Sequence, residues 1–191
     1  MKQYVWDWVV RLCHLVFIAG CVGAYVTYQL GQMTWHAWIG YAVLAALVLR
    51  LVWGVVGSPH ARFSSFVRGP EAVWRYLRAW RRQPAPLGHN PLGGYAVLAL
   101  LAALGIDTVT GLFSDDEVAT TGPLRGLVSD DMAQSLTHIH RLAFDGLLTL
   151  VGLHLAAILT YAVVKKVNLV GPMITGWKRA AEPADPPAPQ P

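Results

Sequence analysis

Charge is what this chain has least of. Only 14% of its 191 residues are Asp, Glu, Lys or Arg, against roughly 25% in ordinary soluble domains. That scarcity excludes a solvated globule and a nucleic-acid-binding surface spread over the whole chain. Cysteine is almost absent, with Cys13 and Cys21 alone. They lie in one helical segment, so their backbones stand too far apart for a disulfide. No CxxCH stretch occurs, which argues against a covalently attached c-type haem. The N-terminal apolar stretch lacks a small-residue cleavage site around Tyr25 to Tyr28, and Asp7 and Arg11 interrupt its start. It reads as a retained helix and not as a cleaved signal peptide.

What is present is apolar: 54% of residues are hydrophobic and eight are Trp. Crossing a hydrocarbon core takes about 20 helical residues, and four stretches are long enough: 9–28, 36–56, 91–113 and 142–164. The expected fold is all-α, an integral membrane four-helix bundle occupying residues 1–179, followed by a disordered Pro/Ala-rich tail over 180–191. Between the second and third spans, Val73, Trp74, Leu77 and Trp80 recur at helical spacing among arginines. That pattern predicts a short amphipathic helix lying on the cytoplasmic membrane surface, or else a basic loop that serves topology alone. Arg62, Arg68, Arg75, Arg78, Arg81 and Arg82 in this segment, and Lys165, Lys166, Lys178 and Arg179 after the fourth span, place both regions and both termini in the cytoplasm by the positive-inside rule. The opposite loop carries Asp115, Asp116, Glu117, Asp130 and Asp131 against Arg125.

Histidines inside apolar spans need partners, because polar groups are costly in lipid. His140 and His154 are 14 residues apart, which returns them to within about 40° of one helical face and separates them by about 21 Å along the axis. One helix thus offers ligands at two depths. His14 matches the depth of His154 at the cytoplasmic side, and His36 matches His140 at the outer side. Two depth-matched imidazole pairs suit two bis-histidine haems. The bland alternative, a histidine hydrogen-bonded to a neighbouring helix, accounts less well for four residues in two pairs. Zinc would need a further thiolate or carboxylate, and none is expected at these depths. His138, about 200° around the helix from His140, is expected at the aqueous interface.

Other residues surround the proposed sites. Gly40 lies one turn from His36 on the same face, and Gly20, Gly23 and Ala24 continue the first helix beyond His14. Small residues there either admit a macrocycle or serve ordinary helix packing. Arg50, 14 residues after His36, either pairs with haem propionates or snorkels to headgroups. Arg141 serves the outer propionates or pairs with Asp145. Asp107 and Asp145 are intramembrane acids, candidates for taking a proton from a quinol or for hydrogen bonds between helices. His89, in the cytoplasmic loop, is a solvated side chain or a contact for a quinone head group.

With VWDWVVRLCH, WHAWIGYAVLAALVLRLVWG, LGHNPLGGYAVLALL, TGLFSDDE and NLVGPMITGWKR in hand, the chain resembles the bacterial cytochrome b561 family. It is closest in pattern to the branch described as the b-type cytochrome subunit of nickel-iron hydrogenase. The resemblance implies a four-helix membrane cytochrome with two b haems held by His14, His36, His140 and His154. It also implies electron passage between membrane ubiquinone or menaquinone and a redox partner. Hydrogenase subunits carry a fifth helix that is not read here; compact relatives look more like partners of soluble c-type haem proteins or enzymes acting on superoxide. The leading expectation is therefore a bacterial inner-membrane electron carrier reducing or oxidising a periplasmic c-type cytochrome. The alternatives are a superoxide:quinone oxidoreductase, and a non-redox transporter or anchor whose histidines bind ions.

Overall fold

In a computed structural model, which describes residues 2–83, 88–115 and 121–179, the chain forms four long helices with short elements gathered at one end. Strand β1 (Lys2–Tyr4) leads into α1 (Trp8–Gln29) and α2 (Met33–Val56). Two short helices, α3 (Phe63–Phe66) and α4 (Pro70–Ala79), precede α5 (Pro91–Gly111). Helix α6 (Asp130–Val164), α7 (Val170–Thr175) and strand β2 (Trp177–Arg179) complete the described residues. Helices α1, α2, α5 and α6 are each long and apolar enough to cross a membrane. The expected tail over 180–191 lies outside the described residues, as do Asp116 and Glu117.

The four expected spans are present, with one correction. Helix α6 begins at Asp130, 12 residues before the expected start at 142. Hydropathy registers only the part of a helix that sits in lipid, whereas caps start helices in water too. Ser129 accepts a hydrogen bond from the Met132 amide, and Asp130 and Asp131 in the first turn suit the positive end of the helix dipole. At 1.5 Å per residue this helix is about 52 Å long, well beyond a hydrocarbon core of about 30 Å. His140 is consequently held within a continuous helix and not at its start. The amphipathic α4 is also present. Trp74 and Leu77 remain exposed, free to meet lipid, while Tyr76 is buried against the bundle.

Helix α1 packs closely on α2, α2 on α5, and α5 on α6, whereas α1 and α6 approach less closely. Tyr25 of α1 and Phe144 of α6 stack on each other, with ring centroids 5.8 Å apart. The α1–α2 contact is close: a Cβ on Gly20 would come 2.2 Å from Val43 Cγ2, and one on Gly23 3.2 Å from Ile39 Cδ1. These two glycines therefore serve helix packing. Val43, Leu47, Leu104 and Leu147 form the buried core, flanked by Phe17, Cys21 and Val151. Outside it, Leu15, Ile18, Trp38, Leu153 and Leu159 each expose more than half their surface, an outward apolar face that a bilayer would cover.

The termini meet. Strand β1 pairs antiparallel with β2, Gln3 opposite Lys178. Gly176, at φ 85°, turns the chain from α7 into β2. A Cβ there would be strained by that backbone and would press within 2.6 Å of the Tyr4 ring, so glycine is required. Asp7 caps α1 by accepting from the Val10 amide at 2.9 Å and also accepts from Trp53 Nε1 at 3.0 Å and from the Ser58 hydroxyl. Burial alone would push this carboxyl up. The hydrogen bonds from Ser58, Trp53 and the Val10 and Val9 amides outweigh it and hold Asp7 below the ordinary carboxylate value.

Candidate functional site

At the end formed by the α1–α2 turn and the α5–α6 loop, His36 and His140 face each other. Their ring centroids are 6.1 Å apart and their planes nearly perpendicular, at 89°. Each ring is fixed from behind. His36 Nδ1 lies 2.9 Å from the Ala24 carbonyl oxygen, and His140 Nδ1 lies 2.7 Å from that of Asp107. A carbonyl only accepts, so each Nδ1 carries the proton and each Nε2 keeps its lone pair. Metal–imidazole bonds of about 2.0–2.1 Å on either side of one ion place the two ring centres about 6.4 Å apart. The observed pair therefore suits a single axially ligated metal. Gly111 lets α6 approach: a Cβ there would come 3.1 Å from His140 Cε1. Gly40, one turn from His36, has open space where a Cβ would stand.

Asp107 corrects the expectation that no carboxylate stands at this depth. Its Oδ1 is 3.3 Å from His140 Nδ1, because the packing of α5 on α6 brings the end of one helix beside the middle of the other. By distance the two form an ion pair, yet Oδ1 is buried without a hydrogen-bond partner. The ring proton goes to the main-chain oxygen of the same residue. Among the described residues no three His, Cys, Asp or Glu side chains converge as a metal cluster.

At the other end, His14 on α1 and His154 on α6 are half-buried. They lie within electrostatic reach of each other. Arg50 is buried, which corrects the snorkelling alternative. Its Nη2 donates to the Ala61 carbonyl at 3.3 Å and its guanidinium lies over the Phe63 ring at 5.0 Å. Its Nη1 is buried with no partner, a donor that a carboxylate could take. His89 packs edge-on to Trp6 at 4.7 Å and against Phe66 at 4.5 Å. Its Nδ1 is likewise buried and unpartnered. Burial, with the nearby positive charge of Arg50, His154 and Lys178, pushes its pKa down to about 4, so the ring is neutral at physiological pH.

The remaining expected residues do not converge on either pair. Arg141 and Asp145 are exposed, and no ion pair joins them among the described residues. With His140 facing inward, Arg141 lies about 100° and Asp145 about 140° round the helix, which turns both off the inward stripe. His138 is exposed. Arg125 is engaged by Asp115, 2.8 Å away, and by Asp130, which leaves little positive charge to draw in an anion. A hydroxyl hub escaped the sequence reading: Tyr161 accepts from Trp80 Nε1 at 3.2 Å and Asn90 Nδ2 at 2.8 Å and bonds to Tyr76. It ties α4 and the start of α5 to the end of α6.

The family model for prokaryotic cytochrome b561 matches residues 5–176. The chain belongs to that family. No curated protein and no solved structure matches it. As a cytochrome b561, the protein is a multi-pass bacterial membrane protein that binds b-type haem and transfers electrons across the membrane. The residues present fit such a group. A cytochrome b561 needs paired imidazoles, room for a planar macrocycle and donors for its carboxylates, and the facing His36 and His140, the open side of Gly40 and the unpartnered Nη1 of Arg50 meet that need.

Proposed function

We propose that this cytochrome b561 conducts electrons through two bis-histidine b haems, one held by His36 and His140 and the other by His14 and His154. They connect the membrane quinone pool, ubiquinone or menaquinone, with a periplasmic redox partner of the c-type cytochrome kind. The observation that carries the reading is the facing pair of imidazoles 6.1 Å apart with both Nδ1 protons already committed to carbonyl oxygens. Such back-side bonds orient a ligand and fix its tautomer. A b haem bound there supplies a one-electron ferric/ferrous couple tuned by its axial ligands and its burial.

The chain's own groups do the rest. The carbonyls of Ala24 and Asp107 hold the two Nδ1 atoms, which leaves each Nε2 as the ring nitrogen available to a metal. Arg50 offers its free Nη1 to a propionate of the haem at the His14 and His154 end. His89, neutral and with a free ring nitrogen, hydrogen-bonds a quinone head group on that same side. By the positive-inside rule that side is cytoplasmic, and the acidic loop between α5 and α6 faces the periplasm. A basic c-type cytochrome docks there by charge complementarity, which speeds encounter more than it tightens binding. An anionic substrate such as superoxide finds Arg125 already paired, so the oxidoreductase alternative has less support.

A reduced-minus-oxidised visible spectrum with a haem assay tests the reading. About two b haems per chain are expected, His36→Ala and His14→Ala each removing one. A colourless protein, or both haems surviving both substitutions, refutes it.

A further inference from the structure

Helix α4 is anchored along one side. Tyr76 is buried against the bundle and its hydroxyl bonds to that of Tyr161, while Trp80 Nε1 donates to the same oxygen at 3.2 Å. Just before α4, the Phe66 carbonyl oxygen stands 2.9 Å from where a Cβ on Gly94 would be. Tyr161 belongs to the last turn of α6 and Gly94 to the first turn of α5. Both anchors are therefore terminal turns of spanning helices, which holds α4 at the level where the apolar spans end.

The opposite side of α4 is divided lengthwise. At 100° per residue, Trp74 and Arg78 each lie about 160° round the helix from Tyr76 and point away from the bundle, with Leu77 on one flank and Arg75 on the other. Trp74 is 58% exposed and Leu77 45%. The Arg78 guanidinium rests over the Trp74 ring, 4.9 Å from its centroid. Arg75 reaches Glu71 at 3.5 Å with both side chains largely in solvent, a contact of little strength. Apolar surface thus gives way to guanidinium across the width of one indole, the side chain best suited to a border between hydrocarbon and water.

We propose that this outward face of α4 binds a phospholipid of net negative charge, with Leu77 and Trp74 against an acyl chain and Arg78 and Arg75 on the headgroup phosphate. A guanidinium meets a phosphate with two parallel hydrogen bonds. Every phospholipid carries that phosphate, but a zwitterionic headgroup also carries an ammonium that cancels its charge. The local balance decides between them: Arg68, Arg75, Arg78, Arg81 and Arg82 are all exposed, against Glu71 alone. Such a surplus favours the anionic lipid. Glu71, beside Arg75, works against the lipid and limits its affinity. The inference does not depend on the number of haems or on the redox partner.

Native mass spectrometry of the delipidated full-length protein, titrated in detergent with phosphatidylglycerol or phosphatidylcholine, resolves each adduct by mass and yields its dissociation constant. Phosphatidylglycerol is expected to bind the native protein more tightly than phosphatidylcholine. Arg78→Gln should weaken the phosphatidylglycerol adduct by about fivefold and leave phosphatidylcholine nearly unchanged. Trp74→Ala should weaken both lipids, since it removes contact with the chain. Glu71→Gln should tighten phosphatidylglycerol, a gain that a misfolded variant would not give. Arg62→Gln, which removes the same charge from an exposed position before α3, should have far less effect than Arg78→Gln. Inorganic phosphate alone should form no adduct. Equal affinity for the two lipids, equal losses in Arg62→Gln and Arg78→Gln, no tightening in Glu71→Gln, or a phosphate adduct that Arg78→Gln abolishes would each overturn the inference.

Discussion

Gly40 offers the sharpest separation between helix stability and haem binding. It sits inside α2 one turn from His36, and a Cβ added there meets no heavy atom within 4 Å. A side chain starting there therefore meets no clash at its Cβ, and the backbone gains, since a mid-helix glycine is about 1 kcal/mol less favourable than a good helix former. For a protein of this size about 1 kcal/mol corresponds to roughly 2–4 °C in midpoint. Apoprotein made in haem-deficient cells should accordingly melt a few degrees higher as Gly40→Leu, read by circular dichroism in detergent. Haem content should move the opposite way. If the open side of Gly40 admits the macrocycle between His36 and His140, a leucyl side chain occupies that space and the preparation falls from about two haems to about one. Opposite signs in the two assays cannot come from general misfolding. Two haems with an unchanged spectrum in Gly40→Leu would refute the placement, since the space would then be merely open to lipid.

Two further outcomes test the termini end. Because the folded Asp7 carboxyl titrates below its ordinary value, its contribution to stability is fully present above about pH 4 and is lost as pH falls through the depressed folded value. Asp7→Asn keeps a good helix cap and should abolish that part of the acid dependence, so thermal midpoints of the two proteins should converge at low pH and diverge above it. Parallel midpoint curves would contradict the assignment. Tyr161→Phe leaves Trp80 Nε1 and Asn90 Nδ2 without their acceptor, a loss of about 1–3 kcal/mol. Faster proteolysis near α4, with haem content unchanged, is the expected readout.

The parts of this molecule that are periodic within one helix could be read directly. The interval of 14 residues between His140 and His154, and the one-turn relation of His36 to Gly40, depend only on helical geometry and survive intact in the fold. The limits of α6 were misjudged because Asp130 to Arg141 is polar: a hydropathy reading ends where lipid ends, and a capped helix does not. Asp107 was visible as an acid in an apolar span, but its contact with His140 depends on the register between α5 and α6, which no single-chain periodicity specifies. The role of Arg50 has no periodic signal for the same reason, since Ala61 and Phe63, which enclose it, come from the turn after α2 and the start of α3. The pairing of β1 with β2 had no pattern at all to announce it: three residues each, mixed in polarity, joined across nearly the whole chain.

Between the two histidine levels lies the core of Val43, Leu47, Leu104 and Leu147. Val43 is seven residues from both His36 and Arg50, and Leu147 is seven from both His140 and His154, so this layer sits midway. Its four buried members are aliphatic side chains, which carry no hydroxyl to relay a proton. Electrons cross such a layer by tunnelling and need no such relay. On the two-haem proposal, this layer is the stretch an electron would cross between the irons, and its four members carry no group that could relay a proton beside it.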